Sequence, residues 1–363
     1  ASVDVKAAQA HGRRSLLPIL RGLLLAAPVL LVFTILLASA DPIFADSVER
    51  LLNLDLLPNL AEWAWRGLLI VAAGWFMAGG LVYAFGRPAS AAGPGALETA
   101  VGNLGRAFAI GFVEAATVLS LVNLLFLSFV TIQFTYLFGG QTNIRLDGYT
   151  YAEYARRGFF ELVAVAALTL ALILTLNWLT RRPLPQHVYG FNGLGSVMVS
   201  LVLVILASAF QRLRLYEATY GYTELRLYVY VFMGWLALTL AWFLVTLWWR
   251  PGLFAIGLMV AAMGFLATLD VINPDAFIVR QNLARYQATG DLDADYLTTL
   301  SDDAVPALQE ALSQLPTTVQ PTLIIRRALY DRHKALQKDT GWQRWQSFHL
   351  AHWSAYWILA DGD

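Results

Sequence analysis

Two short segments of the sequence combine arginine, glutamate and tyrosine in a way that suits binding at a membrane surface. Arginine offers a planar fork of donors to carboxylate or phosphate, and tyrosine joins an apolar ring to a polar tip. We predict that the two segments meet at the outer face of a helical bundle, where they could hold an anionic lipid head group or an acidic segment of a partner. The residues of this predicted patch are Glu153, Arg156, Arg157 and Glu161 in the first segment, and Arg212, Arg214, Tyr216, Glu217 and Tyr220 in the second.

The first segment begins with a capping box, since Thr150 is followed three residues later by Glu153. This pattern predicts a helix that runs directly into a membrane span. On such a helix Glu153, Arg157 and Glu161 stand at successive i, i+4 positions and can form a ladder of charges. The ladder is either part of a binding patch or a structural device that fixes the helix against its neighbours. The sequence leaves both interpretations open.

Glu114 is the acid that the sequence places deepest in a predicted span, with Thr117 one turn away. Ionisable residues inside a membrane are costly, and they pair with other groups or serve a function. Asn123 and Gln133 do not share the helix face of Glu114 at 3.6 residues per turn, so no continuous polar lane is evident. No predicted span contains a histidine that could extend a proton relay. We therefore predict that Glu114 pairs with a neighbouring helix and is not a translocation site.

Composition and motifs exclude or disfavour several kinds of chemistry. The chain has no cysteine, which excludes disulfides, thiolate metal sites and cysteine nucleophiles. Its serines and threonines have no accompanying histidine or lysine motif, so hydrolase chemistry has no support. The formal net charge is +0, whereas binding a nucleic acid needs a concentrated basic face. We expect no catalytic residues, no cofactor and no nucleic-acid partner, and we favour a non-enzymatic role while leaving an enzymatic one open.

One acidic cluster resembles a metal site. Asp291, Asp293 and Asp295 are spaced like the start of a calcium loop, but Tyr296 stands where that loop needs glycine for its sharp turn. Helix capping explains these acids more simply. We therefore predict no metal ligands in this chain.

The bulk of the chain must have lipid as its solvent. Hydrophobic residues make up 58% of the 363 residues and charged residues 14%, whereas a soluble domain has roughly a quarter charged residues. Mean hydropathy is +0.57. We predict an all-α fold, a polytopic transmembrane helical bundle of about seven spans with a C-terminal helical extramembrane domain, since a span needs about 20 apolar residues. The predicted spans are residues 15–40, 62–85, 104–138, 158–180, 194–210, 225–249 and 252–269.

The composition changes sharply after residue 272, so we divide the chain into a transmembrane helical domain, 1–272, and an extracytoplasmic helical tail, 273–363. Asn273, Pro274 and Asp275 predict a helix start, with a cap, a proline at the first position and an acid near the positive end of the helix dipole. The end of the tail carries an aromatic stripe that either packs against the tail or rests at head-group level. Its members are Trp342, Trp345, His349, Trp353, Tyr356 and Trp357.

Basic residues near the first span set the expected orientation. Lys6, Arg13, Arg14 and Arg21 precede or begin that span, which places the N-terminus in the cytoplasm by the positive-inside rule. An odd number of spans then places the tail outside. Between residues 41 and 60 the pattern predicts a short helix lying flat in the interface. We expect a multi-pass protein of the bacterial inner membrane.

Four stretches resemble the motifs of a bacterial family of polytopic membrane proteins known only as a domain of unknown function. Residues 147–162 (DGYTYAEYARRGFFEL) resemble the signature of this family, and residues 212–221 (RLRLYEATYG) are similar to its second motif. Asn273-Pro274-Asp275 and residues 300–306 (LSDDAVP) are similar to its C-terminal part. The resemblance implies a polytopic membrane fold and supplies no activity.

The leading functional hypothesis is a membrane scaffold or accessory subunit that binds a partner protein or an anionic lipid at its outer face. Its expected partners are membrane lipid and other membrane-protein subunits. The alternative is a transporter or permease for a small solute, which should show internal repeats or interrupted helices, and none is evident. A membrane enzyme acting on lipid-linked substrates is the third hypothesis, because the arginines could hold a phosphate.

Overall fold

The computed structural model describes residues 3–52, 109–137, 158–338 and 346–360. Twelve α-helices lie in these ranges, and the predicted all-α fold is confirmed. They are α1 (Val3–Ala40), α2 (Pro42–Leu52), α3 (Phe112–Leu137), α4 (Phe159–Leu179), α5 (Pro185–Tyr220), α6 (Glu224–Trp248), α7 (Phe254–Ile272), α8 (Pro274–Thr289), α9 (Ala294–Thr299), α10 (Val305–Gln314), α11 (Gln320–Lys338) and α12 (Leu350–Ala360).

Six candidate membrane spans occur in the part of the chain that the structure describes. They are Leu17–Ala40, Phe112–Phe134, Phe159–Leu179, Pro185–Tyr220, Glu224–Trp248 and Pro251–Ile272, each long and apolar enough to cross a bilayer. Each corresponds to a predicted span, and the remaining prediction, 62–85, lies outside the described residues. The bundle of long apolar helices is therefore the architecture that the composition indicated.

Two span boundaries differ from the prediction. Helix α3 begins at Phe112, not near residue 104, and is 26 residues long, which removes the excess length predicted for the third span. Helix α5 has 36 residues and continues to Tyr220, beyond residue 210 where the predicted span ends, so the segment from Arg212 to Tyr220 is helical. The physical reason is that no glycine or proline occurs between Gly195 and Gly221.

The helices form two compact units. The first consists of Ala1–Arg212 and Leu236–Ala255, and the second of Leu213–Trp235 and Ile256–Asp363. The boundaries between these units fall inside helices α5, α6 and α7. The division at 272/273 drawn from the sequence remains a prediction.

In the first unit, helix α1 packs against α3 and α4. Phe33 of α1 meets Phe126 of α3 edge to face, with ring centroids 5.1 Å apart. The short helix α2 follows directly, and its Phe44 makes the same kind of contact with Phe129 at 5.1 Å. The short helix predicted after the first span is thus present as Pro42–Leu52, while its flat position in the interface remains a prediction.

In the second unit, one hydrophobic cluster joins the tail helices to the start of α6. It contains Leu227 of α6, Val279 of α8, Leu308 of α10, Leu329 of α11 and Leu359 of α12, all less than a tenth exposed. The tail is therefore a folded helical layer.

The aromatic stripe is only partly buried. Helix α12 packs inward through Ala351, Ala355 and Leu359. Trp353 and Trp357 are 46% and 52% exposed, so they do not bury against the tail. Trp342 and Trp345 lie outside the described residues.

Gly158 gives the first testable prediction, because its backbone conformation (φ 90) and its surroundings both require glycine. A Cβ added there would lie 2.2 Å from the Ala40 carbonyl oxygen and 2.7 Å from the Ala40 Cα. Gly158→Ala should cost at least about 2 kcal/mol, from left-handed strain plus a clash with backbone. The measurement is the melting temperature in detergent.

Gly193→Ala is the matched control, because Gly193 lies inside α5 and an added Cβ there meets nothing within 4 Å. Alanine should raise stability slightly at that helical position. Equal melting temperatures for the two variants would contradict the close approach of Gly158 to Ala40.

Candidate functional site

Arg212, a member of the predicted patch, forms a buried ion pair in the first unit. Its Nη2 lies 2.7 Å from Oδ2 of Asp41, and the two side chains are 4% and 3% exposed. Its Nη1 donates to the carbonyl oxygen of Ala40 at 2.6 Å. The structure thus corrects the predicted role of Arg212: this guanidinium bonds to the α1–α2 junction and does not line an open surface.

The Asp41 carboxylate also accepts hydrogen bonds from two other parts of the protein. Its Oδ1 accepts from the backbone N–H groups of Ile43 at 3.0 Å and Phe44 at 3.2 Å, which caps the start of α2. Its Oδ2 also accepts from Nε2 of Gln133, in α3, at 3.1 Å, and Ser208 of α5 donates its hydroxyl to Oε1 of Gln133. We call Asp41, Gln133, Ser208 and Arg212 the Asp41 network. It ties α1, α2, α3 and α5 together.

Among the predicted patch residues of the first segment, Glu161 is the one that the structure describes. Gly158 is left-handed and directly precedes α4, so a helix cannot continue from Thr150 through this position into the span. Glu161 instead lies in the first turn of α4, where the helix dipole favours a carboxylate. Glu153, Arg156 and Arg157 lie outside the described residues.

Glu114 lies at the end of a span rather than part-way along it. Helix α3 starts at Phe112, so Glu114 occupies its first turn, and its carboxylate lies against Gly111. Deeper in α3, Asn123 donates to the carbonyl oxygen of Leu194 in α5 at 2.9 Å. The interior polar groups of α3 are thus used in contacts between helices.

The rest of the second segment lies in the second unit, around the turn between α5 and α6. Helix α5 ends at Gly221, which is left-handed (φ 76) and donates its N–H to the Glu217 carbonyl at 2.7 Å. Asn282 of α8 clamps the next residue: its Oδ1 accepts from Tyr222 N at 2.9 Å, and its Nδ2 donates to Tyr222 O at 2.9 Å. A Cβ at Gly221 would lie 2.2 Å from Asn282 Oδ1, which explains the glycine that closes the second motif.

Two arginines that the sequence did not single out cap the last carbonyls of α5. Arg285 donates to Thr219 O at 2.6 Å and to Ala218 O at 3.2 Å. Arg226 donates to the carbonyls of Tyr220 and Gly221, and its guanidinium carbon lies 4.2 Å from the ring centroid of Tyr216. Positive charge at a helix C-terminus is favourable. No spacing pattern in the sequence predicts these contacts, because the two arginines lie on helices other than α5.

Glu217 faces tyrosines as well as arginines. Tyr230 donates its hydroxyl to Oε2 of Glu217 at 3.4 Å, and the Tyr222 hydroxyl bonds the same carboxylate. Burial, and after it the charge of Glu217, raises the pKa of Tyr222 to about 12. The phenol therefore keeps its proton at neutral pH and stays a donor to this carboxylate. Arg214, on the same turn of α5, is exposed.

A cavity of about 570 Å³ opens beside this turn. Of the predicted patch, Tyr220 contributes to its wall and is 49% exposed. The wall mixes both signs of charge, and its polar members include Tyr222, Arg226, Arg285, Asp291, Asp295 and Tyr296. A cavity of this size is typical of small-ligand sites.

The C-terminal motif residues join the tail helices. Asn273 caps α8 by accepting from Ala276 N at 3.2 Å, as its sequence pattern indicated. Asp275 accepts from Ser301 N at 2.9 Å. Asp302 lies between Arg332 Nε of α11, at 3.3 Å, and His352 Nδ1 of α12, at 2.5 Å. These motif residues hold helices together.

One acid of the run before α9 makes the capping contact that the sequence suggested, and another makes an ion pair. Asp293 caps α9 by accepting from Tyr296 N at 2.9 Å, and Asp291 lies 3.2 Å from Nη2 of Arg285. Within the described ranges, no three histidine, aspartate or glutamate side chains converge in a way that could hold a metal ion.

These features define a class of protein: a multi-pass α-helical membrane protein whose spans are joined by internal polar contacts. A family model described as a domain of unknown function (DUF4153) matches residues 3–311. The chain belongs to this family, which confirms the resemblance drawn from its motifs. No curated protein and no solved structure matches the chain.

The Asn282 clamp gives the second prediction. Asn282→Ala removes both partners of the Tyr222 backbone and should cost about 2–3 kcal/mol, because unpaired buried backbone groups are expensive. Gln287→Ala, on the same helix, is the control: its amide makes one exposed bond, to Gln314 at 3.2 Å. Hydrogen exchange of residues 213–235 should accelerate in the first variant only, and equal rates in both would contradict the clamp.

Proposed function

We propose that this protein is a membrane scaffold or accessory subunit that binds a partner protein or an anionic lipid at its outer face. The observation that supports the proposal is that some residues of the second motif, RLRLYEATYG, are packed inside the protein while others are exposed. Arg212 is buried on Asp41 and Gly221 is packed on Asn282, whereas Arg214 and Tyr220 are exposed on the same helix end. A rigidly held helix end that presents an arginine and a tyrosine suits recognition of an anionic group.

The interior of the first unit supports a scaffold rather than a permease. The Asp41 network bonds polar groups of four helices to one another. Asn192 likewise donates to the Leu247 carbonyl at 2.9 Å. A solute pathway needs polar groups that face a cavity and broken helices that line it. Polar side chains that bond to neighbouring helices serve packing instead.

The orientation belongs to the same proposal. The N-terminus lies in the cytoplasm and the second unit carries the binding face outside, in the inner membrane of a bacterium. The basic residues before the first span support this arrangement. The first motif contributes further candidate binding residues to this proposal, which are Glu153, Arg156, Arg157 and Glu161.

Arg214→Gln tests the proposal. Removing one arginine from a surface that binds anionic head groups should lower retention of phosphatidylglycerol roughly fivefold, at about 1 kcal/mol per basic residue. The melting temperature should not change, because Arg214 is exposed. Native mass spectrometry of the purified protein measures retained lipid and co-purifying subunits together.

Arg280→Gln is the matched control, since Arg280 is another exposed arginine of the second unit. It should leave retention unchanged. A loss of melting temperature in Arg214→Gln without loss of lipid or subunits would show that the motif is purely structural and would overturn the proposed binding role.

A further inference from the structure

Helix α11 exposes a basic face that neither the second motif nor the Asp41 network uses. The helix has five lysines and arginines against one aspartate. Arg332 turns inward to the carbonyls of Thr298, Leu300 and Ser301. The other four cations are exposed, together with Leu323 and Tyr330, which are 55% and 52% exposed. These four are Arg326, Arg327, Lys334 and Lys338.

The basic face borders a cavity of about 780 Å³. Leucines of three helices contribute apolar walls: Leu312 of α10, Leu329 of α11 and Leu359 of α12. Arg326 and Arg327 also line this cavity. The one acid on the helix, Asp331, lies 4.0 Å from Nε of Arg327 as an exposed pair, which screens the arginine only weakly. Apolar walls with a cationic rim match an amphiphile that has an anionic head.

The location of this cavity favours a lipid as that amphiphile. The hydrophobic cluster of the second unit includes Leu329 of α11 together with Leu227 and Val231 from the first turns of α6 and Ile272 from the end of α7. Helices α6 and α7 are candidate spans. Helix α11 therefore belongs to the same packed layer as the ends of two candidate spans, and the ends of spans are where head groups are expected.

The neighbouring helix α12 adds the aromatic residues typical of a membrane interface. It packs against α11. Its Trp353 and Trp357 are half-exposed, and Phe348, just before the helix, is 51% exposed. Tryptophan is enriched where a protein meets lipid head groups, because its ring is apolar and its N–H is polar.

We propose that helices α10, α11 and α12 form a binding site for an anionic phospholipid of the surrounding bilayer. Arg326 and Arg327 bind the phosphate, and Leu312, Leu323 and Leu329 contact the acyl carbons. This site is separate from the proposed patch at Arg214. A lysine or arginine near an anionic bilayer surface is attracted electrostatically to the negative head groups.

The test uses the full-length protein in two kinds of nanodisc, one of phosphatidylcholine alone and one that also contains phosphatidylglycerol. Hydrogen exchange of residues 320–338 should slow when phosphatidylglycerol is present. Replacing both Arg326→Gln and Arg327→Gln should abolish this slowing and raise roughly 25-fold the phosphatidylglycerol content needed to slow exchange of this segment, at about fivefold per basic residue. Arg280→Gln is the control, since Arg280 is an exposed arginine outside this face, and it should leave exchange in this segment unchanged.

Three outcomes would overturn the proposal. The first is identical exchange of residues 320–338 in the two nanodiscs. The second is slowing that survives in the double arginine variant, which would make the effect a general property of charged bilayers. The third is protection by an added poly-glutamate peptide but not by phosphatidylglycerol, which would make the basic face a site for an acidic protein segment. Phosphatidylglycerol could slow exchange of residues 320–338 while Arg214→Gln leaves lipid retention unchanged. In that case the lipid site on α11 stands, and only the proposed binding patch at Arg214 fails.

Discussion

The ion pair between Asp41 and Arg212 joins residues 171 positions apart in the sequence, and both side chains are almost completely buried. A buried charge without its partner is expensive, so each of these residues requires the other. Asp41 also caps α2 and accepts from Gln133 of α3. One carboxylate, that of Asp41, therefore determines two features. They are the direction of the chain after the first span and the packing of α5 beside α1 and α3.

Gly158, directly before α4, packs on the same junction from a fifth element. Its backbone touches Ala40, whose carbonyl oxygen also accepts from Arg212. The first and second motifs thus both reach the α1–α2 junction, one through a glycine and the other through an arginine. The far end of the second motif closes a different contact, Gly221 on Asn282. At these positions, motif residues whose types suggested a binding site make the contacts that hold the helices together.

Local signals in the sequence predicted the local structure well. The apolar segments predicted the membrane helices, and Asn273 and Asp293 cap helices as their sequence patterns indicated. Such signals depend on residues within one or two turns of each other. The prediction of a continuous helix through Gly158 was wrong. A glycine inside a helical pattern does not show whether tertiary packing requires a left-handed backbone conformation there.

The surroundings of the arginines were harder to predict, because they depend on long-range packing. Arg212 and Arg214 are two residues apart and look equivalent in the sequence, yet one is buried on Asp41 and the other is exposed. Residues two apart on a helix point to different faces, but periodicity cannot show which face meets a charged partner. Arg226 and Arg285 were missed for the same reason, since their partners are carbonyls at the end of another helix.

A double-mutant cycle on Asp41 and Arg212 tests the central claim most directly. Asp41→Asn removes the charge and keeps an amide oxygen that can cap α2, and Arg212→Gln removes the guanidinium. Reversible unfolding in mild detergent should show a cost of roughly 3–5 kcal/mol for each single variant. The double variant should cost less than the sum, with a coupling free energy above about 1.5 kcal/mol. Additive effects, or single variants that cost under about 0.5 kcal/mol as a surface pair would, contradict the account.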